Sequence, residues 1–180
     1  PEGGFLYNAK ALQLRAGVLD GGISARLERN VVRNNQAAAI GSSYNVLARG
    51  DTLLTITAVP AAGQSLTDLR AAILQSVYAL RDELVSADEL KRVIANVRAQ
   101  VVYARDDLDD QAQQLGQLDA LGLPLNWDDG VPAQLQAITP KQLREVARRY
   151  LQPERLATLY LQLPGGPDKA SDAQTQGVTP

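Results

Sequence analysis

Apolar residues recur every three or four positions along most of the chain, which is the spacing of helices with one buried face. The pattern predicts helices over residues 8–20, 24–34, 65–85, 86–121, 131–137 and 140–150. The fourth is long, and we expect it either to continue or to kink before residue 121. Two helices begin with capping boxes, Ser86 to Glu89 and Thr139 to Gln142, in which side chains and backbone amides exchange hydrogen bonds.

The second predicted helix follows a glycine pair that ends the first. Gly21-Gly22 stops the first helix because glycine readily adopts the left-handed conformation of a helix C-terminus. Ser24 is then the expected N-cap of the short second helix. Its three arginines, Arg26, Arg29 and Arg33, are expected to lie on a solvent-facing side.

Two stretches with strand-like patterns follow these helices. Residues 38–47 and 52–59 predict strands, the second being rich in β-branched residues. The short polar turn Ala48-Arg49-Gly50-Asp51 between them predicts an antiparallel hairpin. Residues 156–163 alternate enough to predict a closing strand. This order of elements predicts a two-layer α+β domain, with long helices packed on one face of a mostly antiparallel sheet.

The predicted domain covers residues 1–164, and a compositional change marks its end. Residues 165–180 are rich in Gly, Pro, Asp, Ser, Gln and Thr and predict a disordered tail. No stretch of about 18 apolar residues is present, so we expect no membrane-spanning helix. The chain starts Pro1-Glu2-Gly3-Gly4 without Met or a signal peptide, and we expect it to be a fragment, either a processed product or an excised domain.

Composition excludes several kinds of chemistry. The chain has no histidine and no cysteine, so it holds neither a histidine base, nor a thiolate, nor a zinc site with an imidazole ligand. A net charge of −2 argues against nucleic acid as a partner, because phosphate binding needs a basic excess. It also gives no electrostatic reason to bind an anionic membrane. A hard-cation site made of carboxylates alone is the remaining metal chemistry.

Three sequence features invite a functional interpretation beside a structural one. The acidic cluster Asp106, Asp107, Asp109 and Asp110 could hold a cation, but it lacks calcium-loop spacing and is typical of a solvated helix face or helix junction. Arg49-Gly50-Asp51 spells an integrin-recognised tripeptide, but it also suits a hairpin turn. Trp127 is either a partner-facing anchor or a lid over the long helix.

The order of several short motifs resembles the pitrilysin, insulinase and mitochondrial processing peptidase superfamily of zinc metallopeptidases. Gly21-Gly22-x-Ser24-Ala25-Arg26-Leu27, followed by a hairpin, is similar to a helix-turn-helix segment of that family. The helix start at Ser86-Ala87-Asp88-Glu89-Leu90 and the segment 137–151 also resemble family motifs. The resemblance covers about residues 8–163 and implies a domain that usually opens with one or two strands before its first helix. We therefore expect the sheet to lack edge strands that belong upstream.

In this superfamily an active domain carries the zinc motif His-x-x-Glu-His, and a sister domain of the same fold lacks it. A chain without histidine resembles the sister domain, so no catalytic or metal-binding residue is carried over. Some sister domains supply an Arg and a Tyr to substrate, and alignment places Val32 and Ala39 at those positions. Arg33 is one residue away and Tyr44 is five residues away, so the pair itself is absent, and the resemblance implies that it lies in the partner subunit. Arg33 and Tyr44 are the remaining candidate substrate-binding residues.

The resemblance implies a non-catalytic domain that helps to wall the peptide chamber of a zinc metallopeptidase. The implied partners are the catalytic domain of the same polypeptide, a second homologous subunit and the peptide substrate, with zinc held by the parent enzyme and no cofactor in this chain. The alternative is a stand-alone, non-proteolytic scaffold or assembly subunit of the same fold. A third hypothesis is an independent enzyme that uses the acidic cluster. The lack of cysteine and the habit of the family point towards a bacterial periplasm.

Overall fold

The computed structural model describes residues 2–48, 50–103 and 106–161. The predicted tail, residues 165–180, lies outside these ranges, as does part of the predicted last strand. The described chain is helix-rich with one small antiparallel sheet, which confirms the α+β prediction. No helix in the described ranges combines the length and the hydropathy that crossing a bilayer requires.

The described residues form six α-helices and two strands. The helices are α1 Glu2–Asp20, α2 Leu66–Asp82, α3 Ala87–Tyr103, α4 Leu108–Ala120, α5 Val131–Gln136 and α6 Pro140–Tyr150. The strands are β1 Ala37–Ser43 and β2 Thr55–Pro60. A π-helix, Glu28–Val32, precedes β1, and short 3₁₀ turns lie at Trp127–Gly130 and Pro153–Arg155.

Local hydrogen bonds start and end the helices largely where the sequence predicts. The Ser86 hydroxyl accepts from the Glu89 amide while the Glu89 carboxylate accepts from the Ser86 amide, both at 3.1 Å. Thr139 and Gln142 form the second capping box. Gly22 ends α1 with φ +102°, the left-handed region that glycine adopts most readily. The short second helix is the π-helix, whose N-cap is Leu27 and not Ser24 as predicted.

The long helix predicted over residues 86–121 is two helices. Asp107 lies between α3 and α4 with extended backbone, and its carboxylate accepts from the amides of Asp109, at 2.8 Å, and Asp110, at 3.2 Å. An aspartate at an N-cap satisfies amides that have no partner in the first turn. The acidic cluster is therefore a helix junction, as one of its two interpretations predicted.

The hairpin is shorter than predicted, and its strands are joined by residues 44–54 instead of a tight turn. β1 ends at Ser43 because Tyr44 packs against the core and Asn45 folds back, its side-chain oxygen accepting from Leu47 N at 3.0 Å. Gly50 has φ +106°, which fits the turn interpretation of this segment, although Arg49 itself lies outside the described residues. Gln117 of α4 donates to Leu47 O at 2.8 Å and ties the connection to the helical layer.

The predicted closing strand over residues 156–163 is wrong for its described part. Residues 156–161 pair with no strand among the described residues, and Leu159 and Leu161 are each 96% exposed. The apolar alternation favours extended backbone, but a strand also needs a neighbour that exchanges hydrogen bonds with it. Arg70 Nε of α2 donates a hydrogen bond to the Thr158 hydroxyl of this segment at 3.3 Å.

Helix α1 lies at the centre of the core and contacts α3, α5, α6 and β1. Its Leu14, Val18 and Leu19 are fully buried, together with large side chains from each neighbouring helix. Gly17 lets α3 approach closely, since a Cβ on Gly17 would lie 2.5 Å from Cγ1 of Val93. A single small residue thus sets the spacing of two helices.

Replacing Gly17 with alanine is expected to destabilise the domain by roughly 1–2 kcal/mol, because the overlap with Val93 outweighs the better helix propensity of alanine. Gly116 is the matched control, since it lies in α4 and a Cβ there would meet nothing within 4 Å. Gly116→Ala should raise stability by about 0.5–1 kcal/mol. Urea denaturation of both variants checks this pair, and equal effects at the two positions would contradict the close-approach argument.

Candidate functional site

The hairpin has one face on the helices and one face open. Ile40, Ile56 and Ala58 point inwards and pack against the core, and β1 contacts α1. The opposite side chains form cross-strand pairs, and they are Ala39 with Val59, Gly41 with Thr57, and Ser43 with Thr55. We call these six residues the outer face. It is mostly exposed, uncharged and made of small or β-branched residues.

The two edges of the sheet differ. Ser42 N donates to the Asp20 carboxylate at 2.6 Å, and the Ser42 hydroxyl donates to Ala16 O at 3.3 Å. These bonds dock the end of α1 onto the edge of β1, so that edge is covered. On the other edge, β2 pairs with β1 alone among the described residues.

The outer face leads into a shallow, open depression, the cup, at the end of the hairpin where residues 44–54 join the two strands. The cup holds about 490 Å³ and is lined by Ser43, Tyr44, Asn45, Asp51, Thr52, Leu53 and Thr55. Tyr44 is half-buried, and burial, with a smaller contribution from Tyr150, raises the pKa of its phenol. The Tyr44 hydroxyl therefore stays neutral at physiological pH and offers both a donor and an acceptor.

The two candidate substrate-binding residues do not lie together. Arg33 is exposed, and its Nη2 donates to Ile23 O at 2.6 Å, which ties the end of the π-helix back to the glycine turn. Arg33 precedes β1 and Tyr44 follows β1. A strand of seven residues is about 20 Å long, so β1 keeps the two residues apart by about that distance. Their role in substrate binding stays a prediction. Of the two aligned positions, Val32 packs against the core and Ala39 lies on the outer face.

Arg26 is not on a solvent-facing side, contrary to the sequence prediction. It is 6% exposed, and its guanidinium donates to both carboxylate oxygens of Glu89, at 3.1 and 3.2 Å, and to Glu83 at 3.3 Å. Burial by itself raises the pKa of Glu89, but hydrogen bonds from Arg26 and from Ser86 outweigh it and lower the pKa to about 2. The sequence signal for this ion pair was the capping box, because it holds the Glu89 carboxylate in a fixed position where a cation can bind it.

This ion pair lies at one end of a polar groove between the π-helix and α2. The groove holds about 600 Å³, and its wall includes Asn30, Asn34, Gln36 and Ser76. Asn30 Nδ2 donates to the Ser76 hydroxyl at 3.4 Å across it. The formal charges of Arg26 and Arg29 balance those of Glu83 and Glu89 in the groove lining, so the groove offers amides and hydroxyls more than net charge.

The described residues do not fit a zinc site. No group of three or more His, Cys, Asp or Glu side chains among them is placed to hold a metal ion. The dense acidic segment uses Asp107 as a helix cap, and its other carboxylates are exposed.

Comparison with known proteins decides the family. A sequence profile described as the peptidase M16 inactive domain matches residues 4–97, more than half of the chain. The chain belongs to the peptidase M16 inactive-domain family. As a member of this family it is non-catalytic, which agrees with the absence of histidine from its sequence. A search of curated proteins gave no match.

Solved structures with the same fold come from bacterial proteases. A protein from Bordetella pertussis Tohama I that is assigned as a zinc protease superposes with TM-score 0.71 and 16% identity, over 83% of this chain and 82% of that one. The inactive peptidase domain of a Bordetella parapertussis protein with the same assignment gives 0.72 and 15%, over 83% and 80%. A protease from Helicobacter pylori gives 0.73 and 17%, over 81% of this chain but 35% of that one. The match thus spans about a third of the length of the Helicobacter pylori protease.

Proposed function

We propose that this M16 domain forms one wall of the peptide chamber of a zinc metallopeptidase. Its partner is a catalytic domain on the same polypeptide, which carries His-x-x-Glu-His and the zinc, and a second homologous subunit completes the enclosure. The parent reaction is zinc-assisted peptide hydrolysis, and none of its chemistry belongs to this chain. A bacterial periplasmic location stays a prediction, and fractionation of the native cells would test it.

The outer face of the hairpin is the observation that carries the proposal. Helices cover the other face of the sheet, while the outer face is exposed and has no charge and no large aromatic side chain. A wall that must accept many peptide sequences needs a surface without strong selectivity for charge or shape. Ala39, the position aligned with a substrate-contacting tyrosine of the family, lies on this face. The length of the Helicobacter pylori protease supports a partner domain on the same chain.

Size-selective labelling of the parent polypeptide tests the wall. This chain has no cysteine, so Thr57→Cys places a single thiol on the outer face, and Gln113→Cys places one on the exposed side of α4. We expect a small maleimide to modify both residues. A maleimide with a long polyethylene glycol chain should modify Gln113→Cys alone, because the assembled chamber excludes it from the outer face.

The labelled enzymes also report on function. Modification of Thr57→Cys with the small maleimide should lower kcat/KM for an unfolded-protein substrate at least fivefold, while modification of Gln113→Cys should leave it unchanged. The parent without introduced cysteine corrects for any thiols elsewhere. Equal access of the large reagent to both positions would contradict the chamber wall. A native polypeptide without any His-x-x-Glu-His domain would instead favour the scaffold alternative.

A further inference from the structure

The cup, at the end of the hairpin where residues 44–54 join the strands, continues the outer face. Ser43 and Thr55 are the last cross-strand pair of the sheet, and both also line the cup. A peptide that lies along the outer face therefore reaches the cup without leaving the surface. The cup is held in place from behind, since Tyr44 packs against the core and Gln117 binds the hairpin connection at Leu47 O.

The lining of the cup is complementary to an amphipathic cation. Among the described residues that line it, Asp51 is the one that carries a charge at neutral pH. Leu53 is 79% exposed and adds an apolar wall, while hydroxyls of Ser43, Thr52 and Thr55 supply further acceptors. Lysine and arginine side chains need an apolar surface for the methylene stem and a carboxylate for the charged head. A cavity of about 490 Å³ has room for one such side chain.

We propose that the cup binds a lysine or arginine side chain of a peptide lying on the outer face, with Asp51 as the residue that determines this preference. The proposal rests on the proposed function, because it assumes that peptides reach this face. It gives an otherwise neutral wall a single charge-selective position. Tyr44, identified from the sequence as a candidate binding residue, then contributes part of the cup wall.

Reversing the charge of residue 51 and of one peptide position tests the proposal in the intact parent enzyme. Three peptides that differ at one position, Lys, Gln or Glu, are compared by kcat/KM, and their binding is measured separately by fluorescence anisotropy with a zinc-free parent. The wild type should prefer the Lys peptide to the Glu peptide by about fivefold, the size expected for a partly exposed ion pair. Asp51→Asn should abolish the preference, and Asp51→Lys should reverse it.

Asp88→Lys is the matched control, because Asp88 is exposed at the start of α3 and its substitution changes net charge by the same amount as Asp51→Lys. This variant should keep the wild-type preference. An unchanged Lys-to-Glu ratio in Asp51→Lys would overturn the cup proposal while leaving the chamber wall intact, provided that Thr57→Cys still shows size-selective labelling. Failure of all three peptides to bind the parent would overturn both.

Discussion

Replacing Arg15 with alanine is expected to lower the free energy of unfolding by about 4 kcal/mol. Arg15 has no exposed surface, and its guanidinium donates to Leu80 O of α2 at 2.9 Å and to Leu143 O of α6. Alanine would leave a large cavity beside α1 and remove a donor from each of two buried carbonyls. Urea denaturation monitored by circular dichroism measures the loss.

Arg15→Met separates the volume of the side chain from its charge. Burial, with a smaller contribution from the charge of Arg26, lowers the pKa of Arg15 to about 9, so the side chain stays charged at neutral pH at a cost in desolvation. Methionine fills most of the space and avoids the desolvation cost. Arg15→Met should therefore lower the free energy of unfolding by only about 1–2 kcal/mol. A methionine variant less stable than the alanine variant would contradict this account.

Replacing Glu89 with glutamine is expected to cost about 3 kcal/mol at neutral pH, because it leaves the buried guanidinium of Arg26 without its main carboxylate partner. The same carboxylate also accepts from the Ser86 amide, a bond that glutamine can still accept, as Gln142 does in the other capping box, so the loss reports chiefly on the ion pair. Glu83→Gln is the control. Its side chain is 68% exposed and also touches Arg26, and we expect a loss below about 1 kcal/mol.

The stability lost with Glu89 depends on pH in a defined direction. The folded pKa of Glu89, about 2, lies below its ordinary value of 4.5, so the ionised form is favoured in the folded state. The stabilisation is complete above pH 4.5 and is lost as pH falls from 4.5 towards 2. The wild type and Glu89→Gln should therefore approach one another in stability across this range. A constant difference from pH 7 to pH 2 would show that ionisation of Glu89 does not matter.

Part of the candidate site could be predicted from the sequence. The resemblance to a sister domain without histidine identified the family and its lack of catalysis. Its alignment placed Ala39 where the family has a tyrosine, and Ala39 lies on the outer face. Tyr44 also proved to line a concave surface. Arg33 and Tyr44 do not meet, however, because β1 keeps them at opposite ends of a strand, and sequence proximity does not reveal that separation.

Other parts of the site depend on contacts that no local pattern reveals. Asp51 looked like a turn residue, and its place in the cup follows from the connection formed by residues 44–54. Arg26 looked exposed because arginines at this spacing usually face water, but two glutamates more than fifty positions away lie against it. The predicted strand over residues 156–163 failed in its described part, since a strand needs a partner as well as an alternating pattern.

The sequence by itself determined the helices, their capping boxes, the glycine stop after α1 and the absence of imidazole and thiolate chemistry. These features depend on residues within about four positions of one another, or on composition alone. The tertiary structure decided which arginines are buried and which face of the hairpin is open. Arg15 reaches a carbonyl 128 positions away and Arg26 a carboxylate 63 positions away. Such contacts form only when the packing of α1, α2, α3 and α6 brings distant residues together, because each buried cation needs acceptors that its own helix lacks.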